Sequence, residues 1–158
     1  RVTLSGFEEV PAVSTSGHGT FRAMIQPGES SVQYQLTYDE LEGDVTQAHI
    51  HFGREGTNGG VAVFICSNLG NGPAGTPVCP PPPATVSGVF TADDVVGPAA
   101  QGIAPGELDE LLRAMRAGAN RPSGTARAPV SAVPAKPEPR SAAVRILSTA
   151  TRGADRWA

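Results

Sequence analysis

The chain has 158 residues, enough for one ordinary domain and too few for two comfortable ones. Hydrophobic residues make up 39% and aromatics 5%, and no stretch approaches the roughly 20 apolar residues of a membrane helix, so no membrane span is expected. The formal net charge of −3 supplies no basic field, so no nucleic-acid partner is expected either.

The 19 glycines and 15 prolines break helices often and favour an all-β or loop-rich fold. Val2 to Glu8 reads as a first strand that runs into a turn region from Pro11 to Gly17. Gly19 to Gln26 alternates, with Phe21, Ala23 and Ile25 on one face and Thr20, Arg22 and Met24 on the other, until Pro27-Gly28 breaks it. Ser31 to Leu41 is the clearest strand, because Val32, Tyr34, Leu36 and Tyr38 alternate with Gln33, Gln35, Thr37 and Asp39. Glu42-Gly43-Asp44 turns the chain into a strand from Val45 to Phe52, and another follows from Gly59 to Cys66. The segment between them, Gly53 to Gly60, is too glycine-rich for anything but a loop. Residues 67–83 form a second long loop ending in Pro80 to Pro83. Thr85 to Thr91 is the last alternating strand, with Val86, Gly88 and Phe90 opposed to Ser87, Val89 and Thr91.

One helix is predicted at about 106–117. Leu108, Leu111, Leu112 and Met115 form an i, i+3, i+4, i+7 stripe, acids come early, Arg113 and Arg116 come late, and Gly118 supplies the stop. The pattern predicts an antiparallel, Greek-key-like β-sandwich with one helix on its C-terminal side. Composition then changes. Residues 1–120 hold five arginines against thirteen acidic residues, whereas 121–158 hold seven basic residues against two acidic ones. Every Phe, Tyr, Met, His and Cys lies before residue 121, and Trp157 is the one aromatic beyond it. A folded domain over 1–120 and an Ala/Arg/Pro-rich tail over 121–158, disordered or poorly packed, are expected. The chain opens with Arg1 and no charged-then-apolar leader, so a fragment, or a mature form whose signal has been removed, is expected.

Three constellations bear on chemistry. In Ala48-His49-Ile50-His51-Phe52, residues two apart share a strand face, so His49 and His51 project together while Ala48, Ile50 and Phe52 face the core. Two such imidazoles can reach one metal ion, and imidazole suits zinc and copper alike. The commoner role of a bare His-x-His is as solvent-facing or hydrogen-bonding groups on a polar sheet face, and the pair does not choose the ion. A third ligand is needed, and His18, in a loop after Ser16-Gly17, is the remaining histidine; Asp39, Glu40, Asp44 and Glu55 could supply oxygen. Cys66 and Cys79 lack a metal-knuckle spacing and fit a loop-pinning disulfide in an oxidising compartment better than two unrelated buried thiols. The Gly53–Gly60 loop is followed by a strand and lacks a Lys-Ser/Thr pair, which excludes a phosphate cradle, and no serine has a nucleophile-elbow context.

Several runs together resemble one family. These are Leu4-Ser-Gly-Phe-Glu-Glu-Val-Pro-Ala-Val-Ser-Thr-Ser-Gly, Gly19-Thr-Phe, Tyr34-Gln-Leu-Thr-Tyr, Ala48-His-Ile-His-Phe-Gly, Gly59-Gly-Val-Ala-Val, Ser87-Gly-Val-Phe-Thr-Ala-Asp-Asp-Val, Gly97-Pro, Gln101-Gly-Ile and Leu111-Leu-Arg-Ala-Met-Arg-Ala-Gly. In this order, over about residues 2–120, they resemble the CHRD domain, named for chordin and widespread in bacterial secreted proteins. The resemblance implies a compact β-sandwich and a secreted or periplasmic address; it implies no activity, because the family's own is largely unknown. The family normally continues after the helix with a strand of the kind Tyr-Val-Asn-Val-His-Thr and a closing Gly-Glu-Ile-Arg-Gly. Here Ala119-Asn120 runs into Arg-Pro-Ser-Gly-Thr-Ala-Arg-Ala-Pro. A reading-frame change near codon 120 is the expectation, with the closing strands and their histidine lost.

The function expected is an extracytoplasmic binding module without enzymatic activity that holds copper or zinc through His49 and His51. The alternatives are a copper-dependent enzyme of the superoxide dismutase kind and a matrix or adhesion domain with a protein partner. Fold-level likeness transfers no activity between them.

Overall fold

The computed structural model describes residues 1–9, 11–53, 59–119 and 141–149. Strand β1 spans Val2–Ser5, β2 His18–Ile25, β3 Ser31–Asp39, β4 Asp44–Gly53, β5 Gly60–Ser67 and β6 Ala84–Thr91. Helix α1 covers Leu108–Ala119, and β7 covers Ser141–Thr149. The six predicted strands and the helix are all present, with small shifts at their ends. The first strand is shorter than the sequence suggests: at Gly6–Glu8 the chain leaves the sheet in a 3₁₀ turn, where the Gly6 carbonyl accepts from the amides of Glu9 and Val13. The helix continues through Gly118 to Ala119 rather than stopping there.

The strands form two antiparallel sheets, ordered β1-β2-β3-β6 and β5-β4-β7. The chain leaves the first sheet after β3, makes the β4–β5 hairpin in the second, and returns as β6 beside β3. That return is the Greek-key crossover. Alternation does the positioning. Phe21, Val32, Tyr34, Leu36, Tyr38, Val86 and Phe90 from one sheet and Val45, Ala48, Ile50, Val63 and Ile65 from the other bury together in one core. Val32, Leu36, Ala48, Val63 and Ile65 are 0% exposed, the signature of two sheets packed face to face. Two register shifts in β5, opposite Ala48/His49 and Ile50/His51, place Ile65 and Ala62 as extra residues in that strand. Both are fully buried, which is why β5 reads as nearly continuous apolar sequence rather than strict alternation.

Helix α1 uses the predicted stripe. Leu108, Leu111 and Leu112 are buried in the common core and Met115 packs partly against it. The helix runs against β7. Near its end the Arg116 guanidinium meets the Glu29 carboxylate in the β2–β3 turn at 2.7 Å. This hydrogen bond and charge hold the exposed Glu29 carboxyl below its ordinary range. Strand β7 departs from the expectation for the tail: residues 141–149 pair with β4 over its whole length, from Asp44 opposite Thr149 to Gly53 opposite Ser141. Residues 120–140 and 150–158, the rest of that expectation, lie outside the described residues.

The core is thin in aromatics, and glycine makes room for those it has. Tyr34 lies across Gly88 of β6, where a Cβ would come within 2.6 Å of the phenol oxygen. Phe21 and Phe90 flank the ring at 6.3 and 6.2 Å. Tyr34 donates to the Ile65 carbonyl at 3.4 Å and Tyr38 to the Pro80 carbonyl at 2.5 Å. These are the chain's two tyrosines. Burial raises both phenols above the ordinary value of 10.0, and the Asp94 charge adds to the effect at Tyr34. The folded chain therefore keeps protons that the unfolded chain releases. This contribution is fully present below about pH 10 and is lost as pH rises through the folded values. An ultraviolet titration of phenolate absorbance should show both tyrosines ionising later in the native chain than in urea; superimposed curves would refute this.

Candidate metal centre on the histidine strand

Strand β4 is central in its sheet, with β5 on one side and β7 on the other. Ala48, Ile50 and Phe52 enter the core as the alternation requires. His49 and His51 therefore share the opposite face, and their rings meet edge to face with centroids 4.5 Å apart. His49 is buried, at 2% exposure, where alternation alone predicts a residue on the outer face. Its ring stands against Phe64 at 5.6 Å, and the bulge in β5 brings Phe64 into register with it. His51 is half-buried at the end of the pair.

His51 is oriented from outside the strand. Its Nδ1 lies 2.6 Å from the Gly59 carbonyl oxygen. A carbonyl only accepts, so Nδ1 carries the proton, and in the neutral ring the lone pair resides on Nε2. This is the outer-shell arrangement that fixes the tautomer of metal-binding histidines and raises their basicity. Gly59 is suited to the task because its backbone lies so near Phe52 that a Cβ would fall 1.9 Å from the Phe52 carbonyl oxygen. Gly60 beside it is held by the Gln101 side-chain oxygen, which accepts from its amide at 2.7 Å. The sequence marked this segment only as a wide turn; the role of the Gly59 carbonyl depends on how the loop closes.

The other expected ligands are elsewhere. His18 begins β2 in the opposite sheet, exposed, with Asp39 as its cross-strand partner. Asp44 begins β4, five residues before His49, so about 16 Å away along a strand. Glu40 follows β3 with φ 52° in an exposed turn, and Glu55 lies outside the described residues. Among the described residues no group of three or more His, Cys, Asp and Glu comes together to hold a metal ion. On the β7 side, the register positions opposite His49 and His51 are Arg145 and Ala143.

The cysteines behave as expected. Cys66 and Cys79 form a disulfide with Cα atoms 5.1 Å apart. Asn68 reinforces the closure: its side-chain oxygen accepts from the Cys79 amide at 2.9 Å, and its Nδ2 donates to the carbonyls of Val45 and Cys79. The Ser67 amide donates to the Pro77 carbonyl at 2.8 Å. The sequence gives no spacing rule for this clamp, because its acceptors belong to two distant segments.

Two packed antiparallel sheets, a Greek-key crossover and a disulfide-closed loop define a β-sandwich module. The CHRD domain family model matches residues 1–109, and the chain belongs to that family. Neither the curated proteins nor the solved structures contain a match. CHRD domains are typically extracellular, and the disulfide fits an oxidising compartment. Among the described residues no helix is long and apolar enough to cross a membrane.

Proposed function

We propose that this chain is a secreted or periplasmic CHRD module of the binding kind, without catalytic activity of its own, that takes up a transition-metal ion at His49 and His51. The observation that carries the reading is the imidazole pair: two rings 4.5 Å apart on one strand face, with the His51 tautomer set by the Gly59 carbonyl. The two nitrogen ligands leave further positions for water or a partner's group. Nitrogen ligands of this kind favour copper over zinc in the usual order of divalent affinities. Secretion is supported by the family and by the disulfide.

The test is copper and zinc titration of the full chain by calorimetry, with elemental analysis after dialysis. One ion per chain is expected, with at least about a tenfold loss of affinity in His51→Gln and a greater loss in the His49→Ala/His51→Ala double variant. His51→Gln alters the less buried ring, so it separates lost ligation from lost packing at His49. Absence of bound metal, or equal affinity in wild type and His51→Gln, overturns the proposal and leaves a matrix or adhesion role for the module.

A further inference from the structure

The outer face of the four-stranded sheet holds a shallow cavity of about 350 Å³ where β2 begins, β3 ends and β6 begins. Its floor is the sheet itself, three consecutive residues from each of β2 and β3 and the segment 83–85 leading into β6. Its walls come from register. His18 lies opposite Asp39, Thr20 opposite Thr37, and Thr37 opposite Thr85. All five occupy the strand positions between the core-facing Phe21, Leu36, Tyr38 and Val86, so they share the face turned away from the core. Pro83 adds an apolar edge.

These groups are held in place before any ligand arrives. The Glu40 amide donates to Asp39 Oδ1 at 2.7 Å and fixes the carboxylate. His18 Nδ1 donates to the Ser16 carbonyl at 3.2 Å, which puts the lone pair of the neutral ring on Nε2. The Thr20 and Thr37 hydroxyls bond each other at 2.8 Å. The cavity thus presents one carboxylate acceptor, one imidazole and three hydroxyls that both donate and accept. Among the described residues that line it there is no Lys or Arg, so it does not suit a phosphate or a sulfated ligand. A single carboxylate among neutral oxygens makes a poor cage for a divalent cation, which prefers several charged oxygens. The partner that matches mixed, near-neutral, closely spaced donors and acceptors beside a small apolar ring is a run of vicinal hydroxyls. The volume falls at the lower end of the range of about 300–1,000 Å³ for small-molecule sites.

We propose that this cavity is a binding site for a neutral saccharide, with Asp39 accepting from two sugar hydroxyls, the threonines completing the bonds and Pro83 packing on a ring face. The site is in the opposite sheet from His49 and His51 and works without them.

The experiment titrates the full chain, isotopically labelled, with neutral tetrasaccharides of glucose, mannose, galactose and N-acetylglucosamine, following amide shifts by NMR in the presence of EDTA. At least one should bind, with shifts centred on residues 18–20, 37–39 and 83–85. Asp39→Ala should weaken it at least about tenfold, and Thr85→Val, an exposed and nearly isosteric change, by a smaller factor. Asp39→Asn keeps an oxygen for the Glu40 amide and should fall between wild type and Asp39→Ala. His49→Ala/His51→Ala should bind as wild type does. No binding by any of the four at millimolar concentration, shifts centred elsewhere, or full affinity in Asp39→Ala overturns the proposal.

Discussion

Replacing the disulfide with Cys66→Ala/Cys79→Ala should lower the unfolding free energy by about 3 kcal/mol, the chain-entropy value for a loop of this length. The bridge closes a loop between residues 13 apart, and both cysteines are buried, at 0% and 5% exposure. The main effect falls on the unfolded chain, which gains freedom once the link is gone. The folded loop has other ties: the Asn68 clamp, the Ser67–Pro77 backbone bond and the Tyr38 bond to the Pro80 carbonyl do not need the sulfur bridge. The native loop should therefore keep its amide shifts while the urea midpoint falls. Urea unfolding of the double variant against wild type checks the first claim, and NMR of the folded variant checks the second. An unchanged midpoint would contradict the assignment of a stabilising bridge.

Leu111→Ala should cost about 3–5 kcal/mol, a large share of the roughly 5–15 kcal/mol that holds a domain of this size together. Leu111 is 0% exposed and belongs to the same apolar cluster as the strands of both sheets. Removing its side chain leaves a cavity that a close-packed core cannot collapse to fill. Arg113, two residues on, is exposed and ion-paired with Glu110 within the helix, and Arg113→Ala should stay within about 0.5 kcal/mol of wild type. Equal unfolding midpoints for the two variants would show that the helix decorates the sandwich instead of completing its core.

What could be read from the residues follows from where the information lies. Strand β3 was plain because Val32, Tyr34, Leu36 and Tyr38 alternate without a break and all four are buried. The disulfide and the shared face of His49 and His51 were equally local. The depth of His49 was not, because its cover comes from Phe64 through a bulge, and a bulge is invisible to counting by twos. Strand β7 is illegible in the sequence for a related reason. Ser-Ala-Ala-Val-Arg-Ile-Leu-Ser-Thr is short and only weakly alternating, and its strand conformation is stabilised by a ladder on β4, distant in sequence. Gly118 looked like a helix stop, yet a glycine in a final turn costs about 1 kcal/mol at most, which the buried leucine stripe outweighs. The hydroxyl-lined cavity depends on the register of β2 on β3, which makes His18 and Asp39 neighbours, and of β6 on β3, which adds Thr85.

The pairing of β4 with β7 also sets a timetable. Its partners stand 88 residues apart at Gly53 and Ser141 and 105 apart at Asp44 and Thr149, so the ladder is a late, non-local event in folding. A nascent chain emerging amino end first displays the β4 edge with its amides and carbonyls open until the far segment arrives. During that interval the edge is a template for any neighbouring strand. Crowded, simultaneous synthesis should therefore favour intermolecular pairing along β4, and a lower expression level, which dilutes the nascent chains, should favour pairing within one chain.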